Sequence, residues 1–325
     1  MSRSRDSGLF LALAGLAFIA AETLVPRPGD RALVELTGLT CLICGSLGGV
    51  DVLLNIILFI PLGLGLGLLK ASRGRALVFV AATTITIEIL QLGVIPGRDS
   101  SLSDLLTNTM GGMLGYWLAR RWRRILFPAP ALSARLAVSA AVAWIAVQAV
   151  TAWAVQPAPP PPVYYGQWAA ELGHLHIFGG TLLDATINGA PMPAGAYRNS
   201  NTVRHAIEEG AITAEATLTP GESTTGLAPI MSIFNDRQQE VLLLGRNLDD
   251  VIFRLRTHAS DLRIRGPALR LPDGFSGLMD DTITVLGSYR DGHLTAGITG
   301  HATRSVSVSP SWGWSMLMPW EYAFG

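Results

Sequence analysis

Five apolar stretches, each about as long as a bilayer core is thick, fill the first half of the chain. They run from Gly8 to Val25, Val52 to Leu69, Ala76 to Ile95, Leu102 to Ala119 and Leu136 to Val155. A helix rising 1.5 Å per residue needs about 20 apolar residues to cross the hydrocarbon layer. The pattern therefore predicts a domain of four transmembrane helices over residues 8–127 and a fifth helix over 135–155. Glycines recur in the second stretch (Gly63, Gly65, Gly67) and the fourth (Gly111, Gly112, Gly115), a composition suited to close helix approach in lipid.

Beyond residue 165 the period changes. Short runs of alternating and β-branched residues, separated by Gly, Pro, Asn and Asp, occupy residues 166–310. They include Thr213 to Leu218, Ile230 to Phe234, Val241 to Leu244, Val251 to Arg256, Leu262 to Arg265, Thr282 to Leu286 and Ser305 to Ser309. Seven such runs predict an antiparallel β-sandwich. The proline run of residues 156–165 reads as an extended linker that holds this domain off the membrane. Residues 311–325 concentrate three Trp with Tyr and Phe, as in a segment that lies at a membrane interface. The same ending is open to a second reading, a longer protein with further helices. The expected fold class is α+β multidomain: a polytopic α-helical membrane bundle followed by an extracytoplasmic antiparallel β-sandwich of jelly-roll type.

Composition agrees with a membrane protein. Of 325 residues, 49% are hydrophobic and 15% charged, against roughly 25% charged in a soluble domain. The zero net charge hides a division: residues 1–155 hold 13 Arg or Lys against 8 Asp or Glu, and residues 156–325 hold 11 against 16. No strongly basic face offers itself to nucleic acid. Ten basic residues (Arg3, Arg5, Lys70, Arg73, Arg75, Arg120, Arg121, Arg123, Arg124 and Arg135) flank the segments on one side, whereas Arg27, Arg31 and Arg98 occupy the other loops. By the positive-inside rule the amino terminus is cytoplasmic and the chain after the fifth helix lies outside. The first stretch also permits a cleaved signal peptide, since Arg3 and Arg5 precede it and small residues end it.

Polar side chains inside apolar segments cost a few kcal/mol each and call for a reason. Here they come in pairs on single helix faces: Asp51 with Asn55, Glu88 with Gln91, Asp104 with Asn108. From the rise per residue, Asn55 lies about 5 Å and Glu88 about 10 Å inside the outer ends of their helices. The loop Pro96 to Ser101 brings Arg98 to the same level, where its guanidinium fork can take a carboxylate or a phosphate. Two roles stand open: interhelical hydrogen bonds that fix the bundle, and a binding or reaction site beside an aqueous loop.

These residues carry a resemblance. Leu54-Asn55-Ile56-Ile57-Leu58-Phe59-Ile60-Pro61-Leu62-Gly63, then Glu88-Ile89-Leu90-Gln91, Gly97-Arg98 and Asp104 to Asn108 followed by Gly112 and Gly115 resemble the successive motifs of the VanZ-like family. The likeness covers roughly residues 9–120. It implies a small bacterial integral membrane protein of the cell envelope, linked through the family's founding member to resistance to the glycopeptide teicoplanin. It also implies a core polar set of Asn55, Glu88, Gln91, Arg98, Asp104 and Asn108.

In the second half, Ala228 to Arg256 resembles part of a concanavalin A-like or laminin-G jelly-roll, which implies recognition of a glycan or a surface protein. No acid arrangement of the glucanase kind is present, and glycoside hydrolysis needs two carboxyl groups across the bond. Glu208-Glu209, Asp249-Asp250 and Asp280-Asp281 read as turn or solvent-facing residues; the last two pairs leave Ca²⁺ binding open. His174 and His176 lack a third ligand, and no metal site is assigned. Cys41 and Cys44, in a loop expected outside, form a candidate disulfide.

Taken together, these features predict a membrane protein that recognises a lipid or lipid-linked envelope precursor through its polar cluster and a glycan or protein through its outer domain. Binding is preferred to catalysis, and no cofactor is expected. The alternatives are an enzyme in the membrane with Glu88 or Asp104 as general acid or base, and a scaffold whose outer domain recruits a protein.

Overall fold

A computed structural model describes residues 2–25, 43, 47–95, 101–169, 175–278 and 281–317. The helices α1 (Ser2–Thr23), α2 (Gly48–Leu68), α3 (Arg73–Gly93), α4 (Leu102–Leu126) and α5 (Pro130–Ala154) come first. They are followed by β1 (Tyr164–Trp168), β2 (Thr181–Ile187), β3 (Ala190–Pro191), β4 (Gly195–Tyr197), α6 (Ser200–Glu208), β5 (Ala211–Thr219), β6 (Thr224–Asn235), β7 (Glu240–Leu248) and β8 (Asp250–Leu255). The chain continues through α7 (His258–Asp261), β9 (Ala268–Leu271), β10 (Ile283–Arg290), β11 (His293–Ile298), β12 (Thr303–Ser307) and α8 (Gly313–Leu317). Two compact units result, Met1–Trp144 and Ile145–Gly325. This is the α+β architecture expected, a helical bundle and an antiparallel sandwich.

In the first unit α2 touches two neighbours at backbone distance. A Cβ on Gly65 would stand 2.4 Å from Ala12 N of α1, and one on Gly111 of α4 would stand 2.1 Å from Ile56 O of α2. Glycine is required at both places because any side chain would push backbone against backbone. Ala12, Ile19, Phe59, Leu62, Val80 and Ile87 fill the space between the helices. Among the described residues four helices are long and apolar enough to cross a membrane: α2, α3, α5 and residues Arg5–Thr23 of α1. The fourth predicted span departs from this. Helix α4 has the length but not the apolarity, because Ser103, Thr107 and Asn108 share its buried face with Gly111, Gly112, Gly115 and Ala119. Its polar residues turn towards the other helices, and its last turns carry Arg120, Arg121, Arg123 and Arg124.

The second unit contains two six-stranded sheets, ordered β4-β1-β6-β7-β8-β9 and β12-β11-β10-β5-β2-β3. Their strand pairs are antiparallel throughout. Alternation sets the core: along β5, Ile212, Ala214, Ala216 and Leu218 are fully buried while the residues between them are not. They meet Ile230, Ile233, Leu242, Leu244 and Phe253 of the facing sheet in one core.

Three expectations are corrected here. Leu262 to Arg265 is no strand: α7 and the turn after it occupy that stretch, with Arg263 at φ 52°. A nine-residue helix, α6, lies where only strands and turns were expected. Asp250 does not face solvent but is 3% exposed, accepting hydrogen bonds from Arg270 Nε and Asp273 N. The proline run is hydrogen-bonded to the sandwich that follows it. Ala158 N donates to Arg256 O, His258 N donates to Gln156 O, and the Tyr164 hydroxyl donates to Pro160 O at 2.6 Å. The run is strapped along the end of β8, because a chain without proline N–H groups still offers carbonyls to the strand beside it. The end of α5 joins the same structure, with Ala154 and Val155 packed on Ala259, Ala268 and Met316 and Trp153 stacked on His258 at 4.4 Å.

Candidate functional site

The site forms where α2, α3 and α4 bring their polar residues to one level. Helix α4 begins with Ser101, whose side chain accepts from Asp104 N at 3.1 Å and so satisfies one of the free N–H groups of the first turn. Asp104 sits in that turn, where the helix dipole favours an anion. Its Oδ1 accepts from Asn55 Nδ2 of α2 at 2.5 Å. Ser101 N in turn donates to Glu88 Oε2 of α3 at 3.1 Å. A continuous link thus runs Asn55, Asp104, Ser101, Glu88 across three helices. Glu88 is 9% exposed and therefore carries its polar group in a largely enclosed position.

The remaining predicted residues divide. Gln91 leaves the link: its Nε2 donates to Thr23 O at the end of α1, at 2.9 Å. It fixes α1 to α3 by satisfying a carbonyl that the helix end leaves open. Asn108 lies one turn further along α4 from Asp104, 3% exposed, and its Oδ1 has no partner among the described residues. Thr84 Oγ1 on α3 is in the same condition. The two share a level. Gly112 of α4 lies against Val80 of α3, and in antiparallel helices one turn on from Val80 and one turn back from Gly112 reach Thr84 and Asn108. Two buried acceptors thus lie beneath the Glu88 and Asp104 link, in the kind of place where an internal water completes the hydrogen bonding.

Arg98, Cys41 and Cys44 lie outside the described residues, as do His174 and Asp280. Ser101 was not singled out as a site residue, although Ser101-Leu102-Ser103-Asp104 has the spacing of an N-terminal cap and signals the start of α4. In the sandwich, Asp249 accepts from Arg246 and Asp250 from Arg270, so both carboxylates of the first candidate Ca²⁺ pair are engaged by arginine. Among the described residues no group of three or more His, Cys, Asp or Glu is placed to hold a metal ion.

Residues 13–126 match the VanZ/LLP1 family model. The matched span contains the whole polar set, Asn55, Glu88, Gln91, Arg98, Asp104 and Asn108. No curated protein and no solved structure matches the chain. The VanZ-like domain, with the apolar helices around it, makes this a multi-pass membrane protein.

The VanZ-like domain has one chemical feature that a purely apolar bundle lacks. Two carboxylates, Glu88 and Asp104, and the Asn55 carboxamide are joined at one end of the helices through the first turn of α4. Such a link ties the start of α4 to α3, because Ser101 is bonded both to Glu88 and within its own helix. It can orient a cation or a hydrogen-bonding ligand at that end, and it can exchange protons through the carboxylates.

Proposed function

We propose that this is an integral membrane protein of the bacterial cell envelope whose VanZ-like domain receives the phosphate-bearing head of a lipid-linked envelope precursor. Its amino terminus is cytoplasmic and its sandwich extracytoplasmic. The observation that carries the reading is the Asn55, Asp104, Ser101, Glu88 link. It pins residue 101, three positions after Arg98, and the carboxylates supply the negative field that holds a guanidinium near the helix ends. In this proposal the Arg98 guanidinium is the group that takes the phosphate, while the apolar helix flanks accommodate the lipid chain. Binding, with no chemical change in the lipid, is the role that needs fewest further groups.

Two six-stranded antiparallel sheets make the second unit a β-sandwich, and in this account it acts as a domain of the concanavalin A-like or laminin-G kind. Its role in this account is recognition of a glycan at the cell surface. Sequestering a precursor at the membrane and a glycan above it would reduce the target available to a glycopeptide antibiotic, or serve the handling of a surface polysaccharide. The test is the inhibitory concentration of teicoplanin for a susceptible host that carries either the intact protein or an equally abundant Glu88→Gln, Asp104→Asn variant. Protection by the intact protein alone is expected. Equal sensitivity of all three strains, the empty host included, removes the resistance role and leaves polysaccharide handling.

A further inference from the structure

The sandwich carries an open groove of about 640 Å³ at the β4-β1-β6 end of the first sheet. That volume lies within the range of roughly 300–1,000 Å³ typical of small-molecule sites. Its floor and wall follow from strand register. Tyr164 and Ile233 belong to the core, so Tyr165 and Phe234, one residue on in β1 and β6, face away from it, and they are paired across the strands. Gln167, two residues after Tyr165, shares that face. On the other side of Tyr165 stands Ala196 of β4, whose short side chain leaves the ring uncovered. Phe234 is nearly buried and forms the floor, while Tyr165 is half-buried and forms a wall.

Polar groups at the end of the groove come from the β6–β7 turn. Asn235 is the side chain at the centre of that turn: its Oδ1 accepts from Arg237 N and Gln239 N and its Nδ2 donates to Gln239 Oε1, beside the backbone bonds from Asn235 N to Gln239 O and from Gln238 N to Asn235 O. The side chains of Asp236 and Gln238, exposed on the same turn and lining the groove, make none of these bonds. Among the described residues, neither they nor Tyr165 and Gln167 spend their side-chain polar atoms on a hydrogen bond or an ion pair. The groove thus offers the rings of Tyr165, Phe234 and Trp168, the Tyr165 hydroxyl, two carboxamides and one carboxylate, the Trp168 Nε1 being engaged by Met192 O. Its described lining includes no lysine, arginine or histidine.

We infer that this groove binds a neutral oligosaccharide. A sugar ring has an apolar C–H face for Tyr165 and hydroxyls for planar acceptors and donors such as Asp236, Gln167 and Gln238. The lone carboxylate without a cation disfavours phosphate, sulfate and uronate ligands. The inference rests on the glycan role proposed for the sandwich and gives that role a location and a ligand class.

The test uses the full chain in nanodiscs and isothermal titration with chitotetraose and maltotetraose, neutral probes, against tetragalacturonate, an anionic one. A neutral tetrasaccharide should bind, and Tyr165→Ala and Asp236→Ala should each weaken it at least about tenfold, the effect of about 1.4 kcal/mol. Asp236→Ala leaves the turn intact, and an unchanged melting temperature verifies this. Binding of a neutral probe that both variants leave unaltered overturns the groove while the glycan role stands. Preference for tetragalacturonate overturns the ligand class, and binding of none of the three at millimolar concentration overturns the groove and the glycan role together.

Discussion

Replacing Gly111 by Ala probes the seam on which the polar link depends. A Cβ at Gly111 would stand 2.1 Å from Ile56 O, and contacts under 3.0 Å essentially do not occur, so α2 and α4 must part by roughly 0.9 Å. The carbonyl cannot turn aside, because it belongs to the backbone of α2. A gap of that size forfeits about a quarter to a half of each van der Waals contact along the seam, and overpacking of a tight interior costs about 1–3 kcal/mol. The expected loss is about 2–3 kcal/mol, with the Asn55–Asp104 hydrogen bond stretched as well. Gly74 is the matched control. It lies in α3 with nothing within 4 Å of its Cβ position, so Gly74→Ala should be neutral or stabilising by up to about 1 kcal/mol from helix propensity alone. Unfolding in dodecyl sulfate mixed micelles, followed by far-ultraviolet circular dichroism, measures both. Equal stability of Gly111→Ala and the parent, or an equal loss in both variants, would refute the close-packed seam.

Two further predictions concern the sandwich. Arg246 is 1% exposed and donates to Leu248 O, Pro220 O, Gly221 O and Asp249 Oδ1; Arg246→Met strands these acceptors and should cost about 3–5 kcal/mol in thermal or denaturant unfolding, with a loss below 1 kcal/mol contradicting it. Burial pushes the Tyr164 hydroxyl from its ordinary 10 up to about 12. The raised folded value means that this stability is whole below pH 10 and drains away as pH climbs towards 12. Unfolding measured from pH 9 to 12 should show that decline, and Tyr164→Phe should lessen it.

The helices were legible because length and apolarity are local properties, and a run of about 20 residues has few other uses. Helix α4 shows the limit of that reasoning. Its polar spacing pointed to Asp104 and Asn108, yet the apolarity needed for a span is supplied by neighbouring helices that cover Ser103, Thr107 and Asn108. The site was legible as a set of residues but not as a set of partners. Glu88 and Gln91 occupy one face by spacing, but only the packing of α1 decides that Gln91 serves Thr23 while Glu88 serves Ser101. In the sandwich, β5 followed from alternation, and β6 and β8 from short apolar runs that turn out buried on both faces. Asp250 did not, because what buries it is Arg270, twenty residues on, and no local pattern carries a pairing across two strands. Leu262 to Arg265 misled for the opposite reason: its lone β-branched residue, Ile264, was given the weight of a strand, whereas Arg263 takes a left-handed turn.

The most direct measurement of the central claim is lipid retention by the full chain. The purified protein would be released from nanodiscs containing equal amounts of a polyprenyl phosphate and the corresponding neutral polyprenol, and the lipid that remains bound would be weighed by native mass spectrometry. The account predicts selective retention of the phosphate by the parent and loss of that selectivity in Glu88→Gln, Asp104→Asn at unchanged helix content. Equal retention of the two lipids by the parent, or selectivity that survives in the variant, would contradict it.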